Sequence, residues 1–163
     1  MNCINLVVPM NPCPCGYYPD LKRCSCTDLE VKRYSGRISG PLLDRIDLSV
    51  GVMRNTYEQV KSFRKEESSG EIRIRVMAAR KRQLERNGPG VFNSRITVTN
   101  LKEFCTLTQE AEMMAEKYYS AMDMSIRGYH RLLRVARTIA DLEGSSPIEE
   151  KHIMEAASYR GAL

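Results

Sequence analysis

The sequence predicts a mostly α-helical protein that begins with about two β-strands. Two observations predict this class. Residues 1–54 contain two short apolar runs of strand character, and residues 55–163 contain five or six segments with helical apolar spacing. Because two strands form only a marginal sheet by themselves, this order indicates the tail of an α/β domain (1–54) joined to a helical domain (55–163).

Strand signals lie near the start of the chain. The run Ile4–Val8 predicts a strand that stops at Pro9, since proline cannot donate to a β-ladder. A loop over Pro12–Thr27 follows, with three prolines and no apolar period. Asp28 is expected to cap a short helix, and alternating apolar residues predict a second strand over Ile46–Val52.

The rest of the chain has helical periodicity. We expect helices from about Tyr57, from Glu71 to a stop at Gly88, and at about Asn100–Cys105, Gln109–Met122, Ser125–Leu142 and Glu149–Tyr159. The segment "PGVFNSRITVT" is an unusually long loop for a helical domain, which makes it a candidate functional segment.

Length and composition limit the class of protein. The 163 residues are 42% hydrophobic and 28% charged, which suits a globular domain with a core. No apolar run approaches the roughly 20 residues needed to cross a bilayer, and no secretory leader is present, so we expect a cytoplasmic protein without a membrane partner.

The net charge of +5 is concentrated in one segment. Residues 71–100 carry seven Lys/Arg against two Asp/Glu. The positive charge of this local basic patch is smaller than that of a dedicated nucleic-acid-binding domain. Its helix from Ile72 to Arg86 could meet DNA phosphates or an acidic neighbour, or it could be a solvated face.

Four cysteines occur as two C-x-C pairs separated by eight residues. They are Cys13, Cys15, Cys24 and Cys26. Four thiolates can surround one tetrahedral Zn²⁺, although the usual pair spacing is C-x-x-C. The alternatives are a redox-active loop, a reduced loop, or a disulfide between the pairs. A proline-rich loop with little apolar content needs such a metal to hold a shape, which favours zinc.

Three segments in this order resemble one protein family. They are "MNPCPCGYYPD" with its following "CSC", "RYSGRISGPLLDRIDL", and "SIRGYHRLLRVARTIADLEG". The chain resembles, from about Ile4 to Tyr159, the C-terminal half of the ComM (YifB-like) AAA+ ATPases, relatives of the magnesium chelatase ATPase subunit and of minichromosome maintenance helicases. The resemblance implies the truncated end of an AAA+ α/β core followed by the α-helical lid.

The nucleotide-binding motifs of that family do not occur in this sequence. Neither G-x-x-x-x-G-K-[ST] nor the acidic Mg²⁺-binding strand is present. We therefore expect a fragment that starts after them and does not hydrolyse ATP by itself. ATP and Mg²⁺ are cofactors of the intact protein only.

The resemblance implies roles for three residues. Asn11 matches the sensor that positions the attacking water near the γ-phosphate, and Arg45 matches the arginine finger delivered from a neighbouring subunit. Without the resemblance, residue type and spacing favour other interpretations: Asn11 as a turn residue before Pro12, and Arg45 as a surface partner for Asp44 or Asp47.

Arg127 matches the second sensor arginine. On a helix it lines up with Arg131 and Arg134 in a stripe, which by itself is typical of a solvated face. Arg127 lies in the first helical turn, however, where the macrodipole disfavours a cation unless an anion is near. This position weakly favours a phosphate partner.

For the intact protein the resemblance implies a ring, expected to be hexameric, that uses ATP to drive DNA branch migration in natural transformation. The alternatives are the ATPase motor of a magnesium chelatase, which inserts Mg²⁺ into a porphyrin, and a protein-interaction module. The C-x-C pairs favour the ComM interpretation over the chelatase.

Overall fold

The computed structural model describes residues 6–43, 45–62 and 66–160, and the mostly helical class is confirmed. The chain divides into two compact units, the first ending at Ile46 and the second beginning at Asp47. The described helices are α1 (Asp28–Ser35), α2 (Gly40–Leu43), α3 (Tyr57–Lys61), α4 (Ser69–Asn87), α5 (Val98–Phe104), α6 (Gln109–Ala121), α7 (Ile126–Glu143) and α8 (Glu150–Ser158), with a 3₁₀ turn at Asn93–Arg95. None of these helices is long and apolar enough to cross a membrane.

The described part of the first unit consists of a loop and two short helices. Helix α1 begins at Asp28, and its N-cap is Thr27, so the expected cap at Asp28 is wrong by one residue. The Thr27 side chain accepts from the Glu30 N–H while the Glu30 carboxylate accepts from the Thr27 N–H. This reciprocal cap satisfies N–H groups that the first turn leaves without partners. Among the residues up to Ile46 whose burial is described, only Cys13 is fully buried. These side chains therefore form no apolar core.

The two predicted strands are not formed in the described residues. Ile4 lies outside them, and residues 6–8 have no regular structure. Residues 46–52 are also irregular, with Leu48 51%, Val50 64% and Val52 90% exposed. A strand needs a hydrogen-bonded neighbour, and the only β-pairing in the described chain is an isolated bridge between Leu107 and Ile148. The alternation is present in the sequence, but none of the described residues forms a β-ladder with it.

The second unit is organised around α7. This helix packs against α4, α5 and α8, and α6 packs against α8. Its buried residues include Leu132, Leu133, Ala136 and Ala140, which recur at helical spacing and face one apolar core. Small residues such as Ala136 and Ala140, both 0% exposed, let the neighbouring helices approach closely.

Capping residues set the helix ends of this unit. Ser68 and Glu71 form a capping box at the start of α4, and Ser125 accepts from the Gly128 N–H at the start of α7. Helix α4 ends at Asn87, with Gly88 as its C-cap, as the sequence predicts. Helix α7 ends at Glu143, and its C-cap Gly144 has a left-handed φ of 83° that suits glycine.

Candidate functional site

The four paired cysteines meet in the first unit as one group, named here the cysteine cluster: Cys13, Cys15, Cys24 and Cys26. Their Sγ atoms all lie within 4.8 Å of one another. The Cys13 Sγ lies 3.3 Å from that of Cys15 and 3.8 Å from that of Cys24, and the Cys15 and Cys24 Sγ atoms are 3.6 Å apart. All four thiols are free.

These distances fit a tetrahedral metal site. Zinc–sulfur bonds of about 2.3 Å place neighbouring sulfurs of a tetrahedron roughly 3.8 Å apart, whereas a disulfide needs about 2.05 Å. A set of four thiolates selects Zn²⁺ or another thiophilic ion over Mg²⁺ or Ca²⁺. Cys13 is 0% exposed and the other three cysteines are partly exposed, so the centre would have one inner and three outer ligands.

The backbone of the loop folds around the sulfurs. The Gly16 N–H donates to the Cys13 carbonyl at 3.0 Å and closes a turn, in which Gly16 has a left-handed φ of 79°. The Tyr18 N–H donates to the Cys13 Sγ at 3.4 Å. On the second arm, the Cys24 N–H donates to the Asp20 carbonyl at 2.8 Å. An amide that donates to a sulfur, as the Tyr18 N–H does, stabilises a thiolate ligand.

The cluster shares negative charge unevenly. The Tyr17 N–H is the main cause that lowers the pKa of Cys15 to about 6. For Cys26, the Cys15 N–H lowers the pKa, but burial and the neighbouring sulfurs of Cys15 and Cys13 outweigh it and raise the pKa to about 12. Four thiolates so close together repel one another, and a divalent cation between them would remove that repulsion.

Asn11 lies beside the first arm of the cluster. A methyl group built on Gly16 would lie 3.7 Å from the Asn11 Cγ and Nδ2 and 3.8 Å from its Oδ1. The carboxamide therefore lies beside the turn that contains Cys13 and Cys15. Asn11 itself is exposed, as a group that contacts a ligand must be.

Arg45 and Arg127 belong to different units. Arg45 is exposed, follows α2, and donates its backbone N–H to the Leu42 carbonyl at 2.9 Å. Arg127 is exposed in the first turn of α7, as expected from the sequence. The assigned roles of Asn11, Arg45 and Arg127 remain predictions.

The arginine stripe of α7 is largely used within the second unit. Arg131 pairs with Asp47 at 2.6 Å, so this aspartate is engaged by an arginine other than Arg45. Arg134 donates to the Ile96 carbonyl at 2.7 and 3.0 Å. Arg131 and Arg134 therefore have structural contacts, and Arg127 is the stripe residue that stays a candidate for a phosphate contact.

A buried charge network was missed from the sequence. Asp141, 1% exposed, accepts from Arg86 at 2.6 and 2.9 Å, from Arg137 at 3.2 Å and from the Asn93 amide at 2.7 Å. Arg137, also 1% exposed, further donates to the Ser145 and Ser146 carbonyls. The sequence carried one signal, since Arg137 and Asp141 lie four residues apart on the apolar side of α7.

That network explains the long loop after α4. Asn93 is 2% exposed and donates to Asp141 and to the Thr138 hydroxyl. The loop therefore joins α4 to α7 through buried hydrogen bonds. The described hydrogen bonds therefore give this long loop a structural role.

The basic patch also serves the fold. At least five of its seven cations contact described groups of this chain: Arg75 with Glu67, Arg80 with the Phe92 ring, Lys81 with Glu85, Arg82 with the Asp141 carbonyl, and Arg86 with Asp141. These contacts give the helix a structural use, which is not one of the three alternatives expected from the sequence, and those alternatives stay predictions.

Comparison with known proteins identifies the class. The family model described as "Magnesium chelatase, subunit ChlI C-terminal" matches residues 66–160, and the model described as "Magnesium chelatase, subunit ChlI" matches residues 2–60. The chain belongs to this magnesium chelatase ChlI family, and so to the AAA+ ATPases.

Similarity to individual proteins places the chain within a narrower group of this family. The chain is 40% identical over 162 residues to the uncharacterized protein YifB of Escherichia coli (strain K12), covering 95% of this chain and 30% of that protein. It is 35% identical over 165 residues to the competence protein ComM of Haemophilus influenzae, and the match covers 97% of this chain and 31% of that protein. The resemblance to the ComM and YifB proteins is confirmed, and the chain spans about 30% of the length of these relatives.

Proposed function

We propose that this chain is the C-terminal part of a cytoplasmic AAA+ motor whose intact form assembles as a hexameric ring and uses ATP and Mg²⁺ to drive DNA branch migration. The observation that carries the proposal is the similarity to the competence protein ComM over 97% of the chain. A competence protein handles incoming DNA, and the family membership supports the ATPase. The second unit, a helical domain centred on α7, acts as the lid.

Within this motor three residues act on the nucleotide. The Asn11 carboxamide accepts from the attacking water and donates to the γ-phosphate, since an uncharged amide repels neither. Arg45 reaches the nucleotide of the next subunit, and its guanidinium stabilises charge on the transferred phosphoryl group. Arg127 contacts phosphate from the first turn of α7. The exposure of all three side chains supports these roles.

The cysteine cluster holds one Zn²⁺ with a structural role. A closed set of four thiolates leaves no open position for a substrate, which is typical of a structural rather than a catalytic zinc. The metal supplies the fixed shape that apolar burial does not give the first unit, since Cys13 is the only fully buried residue among those of the unit whose burial is described.

The second candidate function is the ATPase motor of a magnesium chelatase. The family description favours it, because both matching models carry that name. The ComM and YifB relatives and the cysteine cluster favour the DNA motor. Tetrapyrrole enzymes encoded beside this gene would support the chelatase, and ATP-dependent movement of a model Holliday junction by the full-length protein would support the DNA motor.

The sharpest test of the ATPase role is Arg45→Ala in the full-length protein. Because an arginine finger acts on the transition state, we expect ATP affinity to stay nearly unchanged while turnover falls by about 10³-fold. A local surface contact would cost at most about 1 kcal/mol of stability and would leave turnover intact.

Mixed rings test whether Arg45 acts across an interface. Arg45→Ala subunits combined with subunits that lack the P-loop lysine should recover some activity, at interfaces where an intact P-loop meets an intact arginine. If the subunits co-assemble and no activity returns, action between subunits is excluded.

A further inference from the structure

The turn that carries the first two cysteines lies beside Asn11. The Gly16 N–H closes this turn on the Cys13 carbonyl, and the Asn11 carboxamide lies near Gly16, within 3.8 Å of where a methyl group on that residue would be. A change in the turn therefore changes the surface beside the carboxamide.

The turn has few other sources of rigidity. Among the side chains of the first unit whose burial is described, Cys13 is the fully buried one, and it belongs to the cysteine cluster. Tyr17 and Tyr18 are 38% and 40% exposed, so neither ring is fully buried. Partial apolar burial offsets little of the entropy of ordering the backbone, and a metal that joins the two C-x-C arms can offset more.

We propose that a thiophilic divalent ion of the Zn²⁺ class, bound by the cysteine cluster, positions Asn11 through the Cys13–Gly16 turn, so that metal occupancy controls the rate of ATP hydrolysis without touching the nucleotide. The proposal rests on the role of Asn11 in the proposed function. The cysteines and Gly16 are positioning residues, and Asn11 is the group that meets the attacking water.

Placement matters because a water-orienting amide acts only near its productive geometry. Small displacements of a positioning group reduce the rate of chemistry while leaving ground-state binding intact. ATP is held chiefly by the phosphate-binding loop, which lies elsewhere in the family. Loss of the metal should therefore appear in kcat and not in the KM for ATP.

The structural half of the proposal is tested on the 163-residue chain by ¹⁵N NMR. After removal of metal with a chelator, one equivalent of Zn²⁺ should convert the Asn11 side-chain NH₂ and the Gly16 amide from mobile to ordered resonances. The Asn93 side-chain NH₂ is the control, because it is held by Asp141 and Thr138 in the second unit and should not change. An Asn11 NH₂ that stays mobile while zinc binds would overturn the proposal.

The kinetic half uses a double-mutant cycle in the full-length protein. Metal removal and Asn11→Ala should each lower kcat with little change in KM, and metal removal from the Asn11→Ala protein should lower kcat by less than about twofold more. Adding Zn²⁺ or Cd²⁺ back should restore kcat only where Asn11 is present. Fully multiplicative losses would overturn the proposal, because they would show that the metal acts through another part of the protein.

Together, the NMR and kinetic experiments distinguish failure of this positioning proposal from failure of the proposed function. If Asn11→Ala leaves kcat unchanged, the role of Asn11 is wrong, and the positioning proposal falls with it even when the NMR result holds. If Asn11→Ala lowers kcat but metal removal does not, the sensor role stands and only the positioning proposal is overturned.

Discussion

Replacing Asp141 with alanine should destabilise the second unit strongly. The Asp141 carboxylate is 1% exposed and accepts hydrogen bonds from Arg86, Arg137 and Asn93, which lie on α4, α7 and the 3₁₀ turn. Its removal leaves Arg137, also 1% exposed, with two carbonyl partners and no counter-charge. The nearby Arg86 guanidinium would then repel it instead of sharing an anion with it.

The size of the effect follows from burial. Breaking a buried ion pair by removing one partner costs about 3–5 kcal/mol, since the remaining charge has neither water nor partner. A domain of this size has a free energy of unfolding of about 5–15 kcal/mol, so the loss is a large part of the total. Asp141→Asn keeps the shape and some hydrogen bonds, and it should cost less than Asp141→Ala but still leave the two guanidiniums uncompensated.

Urea denaturation followed by far-UV circular dichroism measures these losses directly. The matched control is Glu67→Ala, which removes an equally well-formed pair with Arg75 at 2.8 and 3.0 Å. The Glu67 side chain is 42% exposed, and loss of such a surface pair should cost about 0–1 kcal/mol. If Asp141→Ala costs no more than Glu67→Ala, the argument from burial is refuted.

Three further predictions concern the metal, acid stability and a helix end. Elemental analysis of protein purified without chelator should find about one Zn²⁺ per chain, and free alkylation of all four clustered thiols in the folded protein would contradict this. A hydrogen bond from Lys151 is the main cause that holds the pKa of Glu143 below its ordinary value of 4.5, so the stability from this carboxylate is complete above pH 4.5 and is lost as pH falls through the lowered pKa. Glu143→Gln should therefore flatten the acid side of the stability–pH curve, and an unchanged curve would exclude this contribution. Gly144→Ala should lower the free energy of unfolding by about 1–2 kcal/mol in urea denaturation, because its φ of 83° is unfavourable for alanine. The loss should exceed that of Gly90→Ala, since a Cβ added at Gly144 lies 3.1 Å from the Arg82 guanidinium, whereas one added at Gly90 lies in open space.

Helix positions were predictable because their signals are local. Helix α4 runs from Ser69 to Asn87, against an expected span from Glu71 to a stop at Gly88, and its capping box at Ser68 can be recognised within four residues of sequence. Helix α7 likewise follows from its apolar spacing and from Ser125 at its start. In each case the side chains that decide the structure are neighbours in the chain.

The predicted strands show where local pattern is insufficient. Leu48, Val50 and Val52 alternate as a half-buried strand requires, yet all three are exposed and residues 46–52 form no ladder. Strand formation depends on a second backbone that supplies hydrogen bonds, and alternation in one segment contains no information about that partner.

By itself, the sequence determined the longer helices, the two C-x-C pairs and the family resemblance, since each depends on residue type and short spacing. Only the tertiary structure decided that the four sulfurs lie within 4.8 Å, that the Asn11 carboxamide lies near Gly16, and that Arg86 and Asn93 converge on Asp141. Arg86 and Asp141 are 55 positions apart in sequence. The physical reason is that burial changes what a charged residue does. An arginine that looks solvated in sequence becomes part of a core once folding removes its water and leaves it a carboxylate as its partner.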